Sequence, residues 1–192
     1  MHSFIKVSCT VLCCLVVYSC GVSDYINRKK ISRAPAYKAP PKTSECEFNQ
    51  ARIERVVNYI NRIRAHAQTC EGRSYQIAPA IRWNQKLYMA AKNHSDDMAT
   101  NNFLDHQGPH GLVPGDRVSN AGYQWKSVAE NIAGGTDTPE QTIEQWLSSH
   151  GHCHNLMNPA HTQIGLACTR NNIADYRIYW TLVLASPNTH SE

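Results

Sequence analysis

The cysteines are the strongest constraint on what this chain can become. Of eight, Cys9, Cys13, Cys14 and Cys20 fall in the first twenty residues, leaving Cys46, Cys70, Cys153 and Cys168 for the rest. Lys6 is followed by an apolar run from Val7 to Val17, too short to span a bilayer and suited to the hydrophobic segment of a signal peptide. Export delivers the remaining four thiols to an oxidising compartment, where two disulfides are expected. Three connectivities are open, and spacing alone does not choose among them. A helix over 47–66 would hold Cys46 and Cys70 roughly 30 Å apart at about 1.5 Å per residue, beyond the reach of a disulfide. Two connectivities remain, and of these the one with Cys70–Cys153 and Cys46–Cys168 is the expectation. No Cys-x-x-Cys pair follows the leader, so a four-cysteine zinc site has no support.

Val17-Tyr18-Ser19-Cys20 resembles the lipobox that bacterial lipoprotein signal peptidase cuts before a cysteine destined for acylation, although Tyr18 is larger than usual there. Residues 1–20 are thus expected to be a signal peptide with Cys20 as the lipidated residue and membrane anchor. Gly21 in place of aspartate favours the outer membrane. Residues 21–44 are basic and proline-rich without apolar periodicity, and read as a flexible tether. Much of the formal net charge of +4 sits there, in Arg28, Lys29, Lys30, Arg33, Lys38 and Lys42. No run of Lys and Arg interleaved with aromatics follows, so no nucleic-acid partner is expected. With 192 residues, the chain has room for one substantial core. That domain is assigned to 45–187, with 188–192 as a tail.

Ile53, Val56, Val57, Ile60 and Ile63 recur at three and four, the spacing of an amphipathic helix. Trp83-Asn84 opens a second helix, with Leu87, Ala90, Ala91, His94 and Met98 on one stripe. Residues 104–122 are rich in Gly, Pro and Asp and read as an ordered loop in which Asp116-Arg117 holds the backbone. Thr138-Pro139-Glu140-Gln141 is a capping box with proline at the first helical position, starting a third helix that runs to about Ser148. Gln163–Thr169 and Tyr176–Ala185 read as a β-hairpin, with Tyr176, Ile178, Trp180, Leu182 and Leu184 on one face. Helices first and strands last argue for an α+β fold. Trp125 and Trp146 are expected in the core.

Ten histidines make a polar site plausible, and five of them lie between His106 and His154. His106, His152 and a carboxylate such as Glu130 have the chemistry to bind Zn²⁺ or move a proton. His94, on an apolar helix face, is a further candidate for the same cavity. His150, His154 and His161 are expected to be exposed. There is no His-Glu-x-x-His, Gly-x-Ser-x-Gly or Walker loop. Four segments in order, AAKNHSDDMATNNFLDHQGPHG, GDRVSNAGYQWKSVAENIAGG, EQWLSSHGHCHNLMNP and HTQIGLAC, resemble the CAP superfamily (cysteine-rich secretory, antigen 5 and pathogenesis-related proteins) in its bacterial form.

The resemblance implies an α-β-α sandwich, with a small antiparallel sheet between helices, and a surface cavity lined by two histidines and acidic residues. Matched residue by residue, these are His106 from FLDHQG, Glu130 from AENIAGG and His152 from the Gly151-His152 loop. Eukaryotic members carry a second histidine where this chain has Ala160 before His161, and a glutamate where it has Ser149, so the full two-His, two-Glu tetrad is missing. The expectation is a non-enzymatic binding module of the cell envelope (outer-membrane lipoprotein or periplasmic) or a secreted one. His106 and His152, with Glu130 as a possible third ligand, would take zinc or another divalent metal. The alternatives are a metal-assisted hydrolase, a peptidase using Ser95 or Ser149, and a carrier of lipid or sterol; lipids or proteins are the possible further partners.

Overall fold

The computed structural model describes residues 46–188. The expected signal peptide, the Cys20 lipidation site, the 21–44 tether and residues 189–192 lie outside the described residues. Helix α1 (Gln50–Arg64) starts at Asn49, whose side-chain oxygen accepts the Arg52 amide at 3.0 Å, and it buries Val56 and Ile60. A small hairpin of β1 (Gln68–Cys70) and β2 (Arg73–Tyr75) follows, then β3 (Arg82–Trp83). Helix α2 (Gln85–Asn101) is capped by Asn84, which accepts the Lys86 and Leu87 amides at 2.9 and 3.3 Å. It ends at Asn102, whose left-handed φ of 52° turns the chain away.

The remaining elements are α3 (Pro114–Asn120), β4 (Trp125–Gly134), α4 (Pro139–Leu147), α5 (His150–Met157), β5 (Gln163–Arg170) and β6 (Ile178–Pro187). Strands order as β3-β5-β6-β4, antiparallel except for the β3–β5 pair, so β4 is an edge strand and β6 lies inside the sheet. Ile178, Trp180, Leu182 and Leu184 of β6 pack with Val56, Ile60, Ile143, Trp146 and Leu156, from α1, α4 and α5. On the opposite face, Val183 and Ala185 pack with Leu87, Ala90 and Ala91 of α2. The result is an α-β-α sandwich. Alternation along β6 feeds both cores, which is why the strand is apolar on both faces.

α2 lies so close to the sheet that only glycine fits beneath it. A Cβ on Gly165 of β5 would stand 2.0 Å from the Tyr88 amide nitrogen and 2.3 Å from the Leu87 carbonyl carbon. The cystines tie the layers together: Cys46 pairs with Cys168 of β5, and Cys70 of the hairpin with Cys153 of α5, at Cα separations of 5.0 and 5.9 Å. On the α1 side, the buried Arg64 guanidinium donates to the carbonyls of Pro79, Leu156, Asn158 and His161.

Several local expectations are corrected. Residues 104–122 are not loop throughout: a 3₁₀ turn at Pro109–Gly111 precedes α3, where Asp116 accepts the Val113 amide at 3.2 Å. Gly151-His152 lies within α5 rather than in a loop. Trp125 is 38% exposed, with its indole nitrogen donating to Ser119 Oγ at 3.0 Å and its ring over Gly115. Tyr176 precedes β6 and covers Gly134 instead of sharing the apolar face. His161 is buried, not exposed.

Candidate functional site

Glu130 is the pivot of the site. It sits on edge strand β4 with a side chain only 1% exposed, and a carboxylate so placed needs strong partners. Arg117 of α3 supplies them: its Nη2 stands 2.9 Å from Glu130 Oε1 and 2.8 Å from Oε2. The same guanidinium donates to the backbone oxygens of His106 and Leu112, at 2.9 and 2.8 Å. Arg117 therefore does hold the loop, as expected, and at the same time neutralises Glu130.

His106 completes the group, with Nδ1 at 2.9 Å from Glu130 Oε1 and half of its side chain exposed, 50%. An ionised carboxylate only accepts, so Nδ1 carries a proton and Nε2 is the ring atom left for a further partner. Behind it, His94 of α2 is fully buried; its Nε2 is 2.9 Å from the Asp105 carbonyl and 3.7 Å from Glu130 Oε1. Its Nδ1 and Arg117 Nε are buried without a hydrogen-bond partner.

β4 alternates, so Asn131 faces the other layer. Its side chain donates to the His152 carbonyl at 3.0 Å, while Asn155 Nδ2 reaches Asn131 Oδ1 at 2.8 Å and the Glu130 carbonyl at 3.3 Å. α5 is thereby fastened along the free edge of β4. This brings the half-buried His152 ring near enough to His106 for a charge on one to disfavour a charge on the other. The structure thus gathers His94, His106, Glu130 and His152 into one neighbourhood. Arg117, Asn131 and Asn155 join them, and sequence reading did not assign these three to the site. Two signals were available: Arg117, an arginine in a segment otherwise poor in basic residues, and Asn131, which beside Glu130 reads as half of a buried hydrogen-bonding pair that fixes a sheet edge.

Other expected participants lie elsewhere. The buried Ser95 hydroxyl donates to the Ala91 carbonyl at 3.0 Å and shares a hydrogen bond with the Thr181 hydroxyl at 3.1 Å, and its burial in the core removes it as a nucleophile. His150 Nε2 pairs with the Tyr75 hydroxyl at 3.1 Å, and the exposed His154 ring packs edge-on to Tyr75. Among the described residues, no group of three or more His, Cys, Asp or Glu side chains is arranged to hold a metal ion. Glu130, the expected third ligand, has both oxygens engaged by Arg117 and His106.

Burial lowers the pKa of His94, His152 and His161 below the ordinary histidine value; Glu130 opposes the shift at His94, and His106 adds to it at His152. The unfolded chain therefore binds protons that the native rings refuse. Stability from this source is present above about pH 6.5 and falls as pH drops through that value, until the native rings titrate. Scanning calorimetry is expected to show a lower Tm at about pH 5 than at about pH 7.5, and a flat profile would contradict the neutral buried rings.

Residues 57–184 match the cysteine-rich secretory protein (CAP) family, and the chain belongs to it. It is 36% identical over 94 residues to the Bacillus subtilis protein YkwD, a stretch covering 49% of this chain and 37% of YkwD. To the Bacillus subtilis membrane protein YlbC it is 30% identical over 90 residues, covering 47% and 26% respectively. The chain thus matches well under half the length of these relatives. The fold is also that of an outer surface protein from Borrelia burgdorferi, with TM-score 0.61, 15% identity, and 74% of this chain and 98% of that one covered. An extracellular SCP-domain protein from Bacillus anthracis aligns with TM-score 0.56 and 23% identity, over 72% of this chain and 44% of that one.

Proposed function

We propose that this chain is an exported binding module of the cell envelope, anchored through Cys20 or released, whose His106 and His152 imidazoles take a divalent cation such as Zn²⁺ at an open polar surface. One observation carries the reading: His106 is held at Nδ1 by a buried carboxylate, which leaves Nε2 free on a half-exposed ring. Metal-binding histidines are commonly oriented in this way, with the second ring nitrogen donating to a carboxylate that raises ligand basicity. The donor set fits two imidazoles, with Glu130 behind the first as a positioning residue. A cation held there would supply Lewis acidity and open positions for water or a polar ligand. The neutral His94 backs the carboxylate without adding charge. Binding rather than turnover is the reading for this cluster, because Ser95, one of the two serines expected as a nucleophile, is sealed in the core.

The test is a thermal melt of the full chain against Zn²⁺. At about 100-fold excess over Kd, native-state binding contributes about 2.7 kcal/mol, or a rise of about 5–10 °C for a domain of this size. Chelation should reverse it, and the His106→Ala, His152→Ala double variant should show none. An unmoved Tm in the wild type would refute the reading, and an equal rise in the double variant would place the cation elsewhere.

A further inference from the structure

A second polar pair joins β4 to the connection between α5 and β5: Ser127, three residues before Glu130 and facing the opposite layer, and His161. Ser127 follows a register irregularity between Trp125 and Ser127, the kind of local bend that re-aims a side chain. Its Oγ is 3.2 Å from His161 Nε2, and His161 Nδ1 is 3.2 Å from the Asn155 backbone oxygen. A carbonyl oxygen only accepts, so Nδ1 carries the proton. The lone pair of the neutral ring is then on Nε2, and the Ser127 hydroxyl donates to it. Hydroxyl, base and orienting acceptor stand in sequence, the arrangement that activates a nucleophile. Exposure differs along the series: His161 is sealed, whereas Ser127 is half-buried and lines a hollow of about 460 Å³ with Lys126, Ala160, Thr162, Ser186 and Pro187.

We propose that Ser127 is an activated nucleophile that takes the acyl group of a small ester seated in this hollow, with His161 as its base and the Asn155 carbonyl fixing the ring. Ser127 Oγ bonds to the ester carbonyl carbon as its proton passes to His161 Nε2. The bond from that carbon to the alcohol oxygen breaks, and the alcohol leaves with the proton. Water, giving a proton to His161, then attacks the acyl-serine and releases the acid, and Ser127 recovers its hydrogen. Lys126 in the wall favours an ester that carries negative charge. Burial keeps the His161 ring neutral at pH 7; the Asn155 bond works against this, while Arg64, which donates to the His161 carbonyl, and His154 reinforce it. Ser127 and His161 lie outside the His106 cluster, and Asn155, whose side chain clasps Asn131, serves here through its backbone oxygen alone, so the proposal stands apart from cation binding.

The experiment is labelling of the full chain with a fluorophosphonate probe, which reports an activated serine without a known substrate. Expected is a single adduct on Ser127, located by peptide mass spectrometry, absent in Ser127→Ala and retained in His106→Ala. The labelling rate should rise with pH, with a midpoint below the ordinary histidine value of about 6.5. It should fall at least about 100-fold in a folded His161→Gln variant. No adduct on Ser127, or an equal rate in folded His161→Gln, would overturn the proposal. Should His161→Gln fail to fold, the pH profile of the wild type decides, and a pH-independent rate overturns it.

Discussion

Gly165→Ala is expected to cost at least about 3 kcal/mol, the upper range for forcing atoms into a packed core. The added methyl would meet the α2 main chain, at 2.0 Å from Tyr88 N, 2.3 Å from Leu87 C and 2.5 Å from Tyr88 Cα. A side chain can rotate away from such a clash, but a helix backbone cannot. Relief requires lifting α2, which would expose Leu87, Ala90 and Ala91 and draw His94 away from Glu130. In a thermal melt, the loss amounts to about 6–12 °C for a domain of this size. Gly151→Ala is the control, because nothing lies within 4 Å of its added methyl. As a glycine in a helix, it should gain up to about 1 kcal/mol on becoming alanine. If both variants melt alike, close seating of α2 is not what Gly165 provides.

Glu130→Gln is expected to cost about 3–5 kcal/mol, the loss usual when one member of a buried ion pair is removed and its partner stays charged. Arg117 would keep its bonds to the His106 and Leu112 carbonyls but lose the carboxylate at 2.8 and 2.9 Å. His106 would lose the acceptor that fixes its ring, so zinc affinity should drop about 10- to 100-fold, as when other orienting partners are removed. Pairing Glu130→Leu with Arg117→Met should recover much of the stability, because no buried charge is then left alone. Affinity should not return with it. Denaturant melts and zinc titrations on the three proteins separate the two effects, and joint recovery would show that Glu130 acts through folding alone.

Three helices and the strands β5 and β6 were legible in the amino-acid pattern, whereas the short elements and the ten-residue edge strand β4 were not. α1, α2 and α4 each repeat apolar residues over several turns, and two of them open on a cap that is visible as Asn84 or Thr138-Pro139. α3 and α5, at 7 and 8 residues, are too brief for periodicity to register, and Pro114 and Gly151 read as breaks. Position in the fold also changed the meaning of single residues. His161 looked like surface, yet it is sealed between Ser127 and Asn155, because the chain leaving α5 turns inward under Arg64. Trp125 looked like core, yet the edge of the sheet leaves its ring partly open.

The candidate site was read in part. The CAP-like segments pointed to His106, Glu130 and His152, and the structure sets them around one strand edge. They did not reveal that Glu130 is committed to Arg117, because which cation answers a buried carboxylate is decided by how α3 folds over β4. Asn155 escaped for the same reason. An asparagine pair becomes a clasp only once two elements remote in sequence lie side by side.

The cystine between Cys46 and Cys168 gives the domain a defined route for mechanical load. Tension arriving from the N-terminal side of Cys46 crosses the sulfur bridge directly into β5, an interior strand with β3 on one flank and β6 on the other. α1, next along the chain, is bypassed and need not unwind for the pull to be borne. Tugged from that side, the domain resists first through the shear strength of its central sheet, and reduction of this one bond would shift the strain onto the helix.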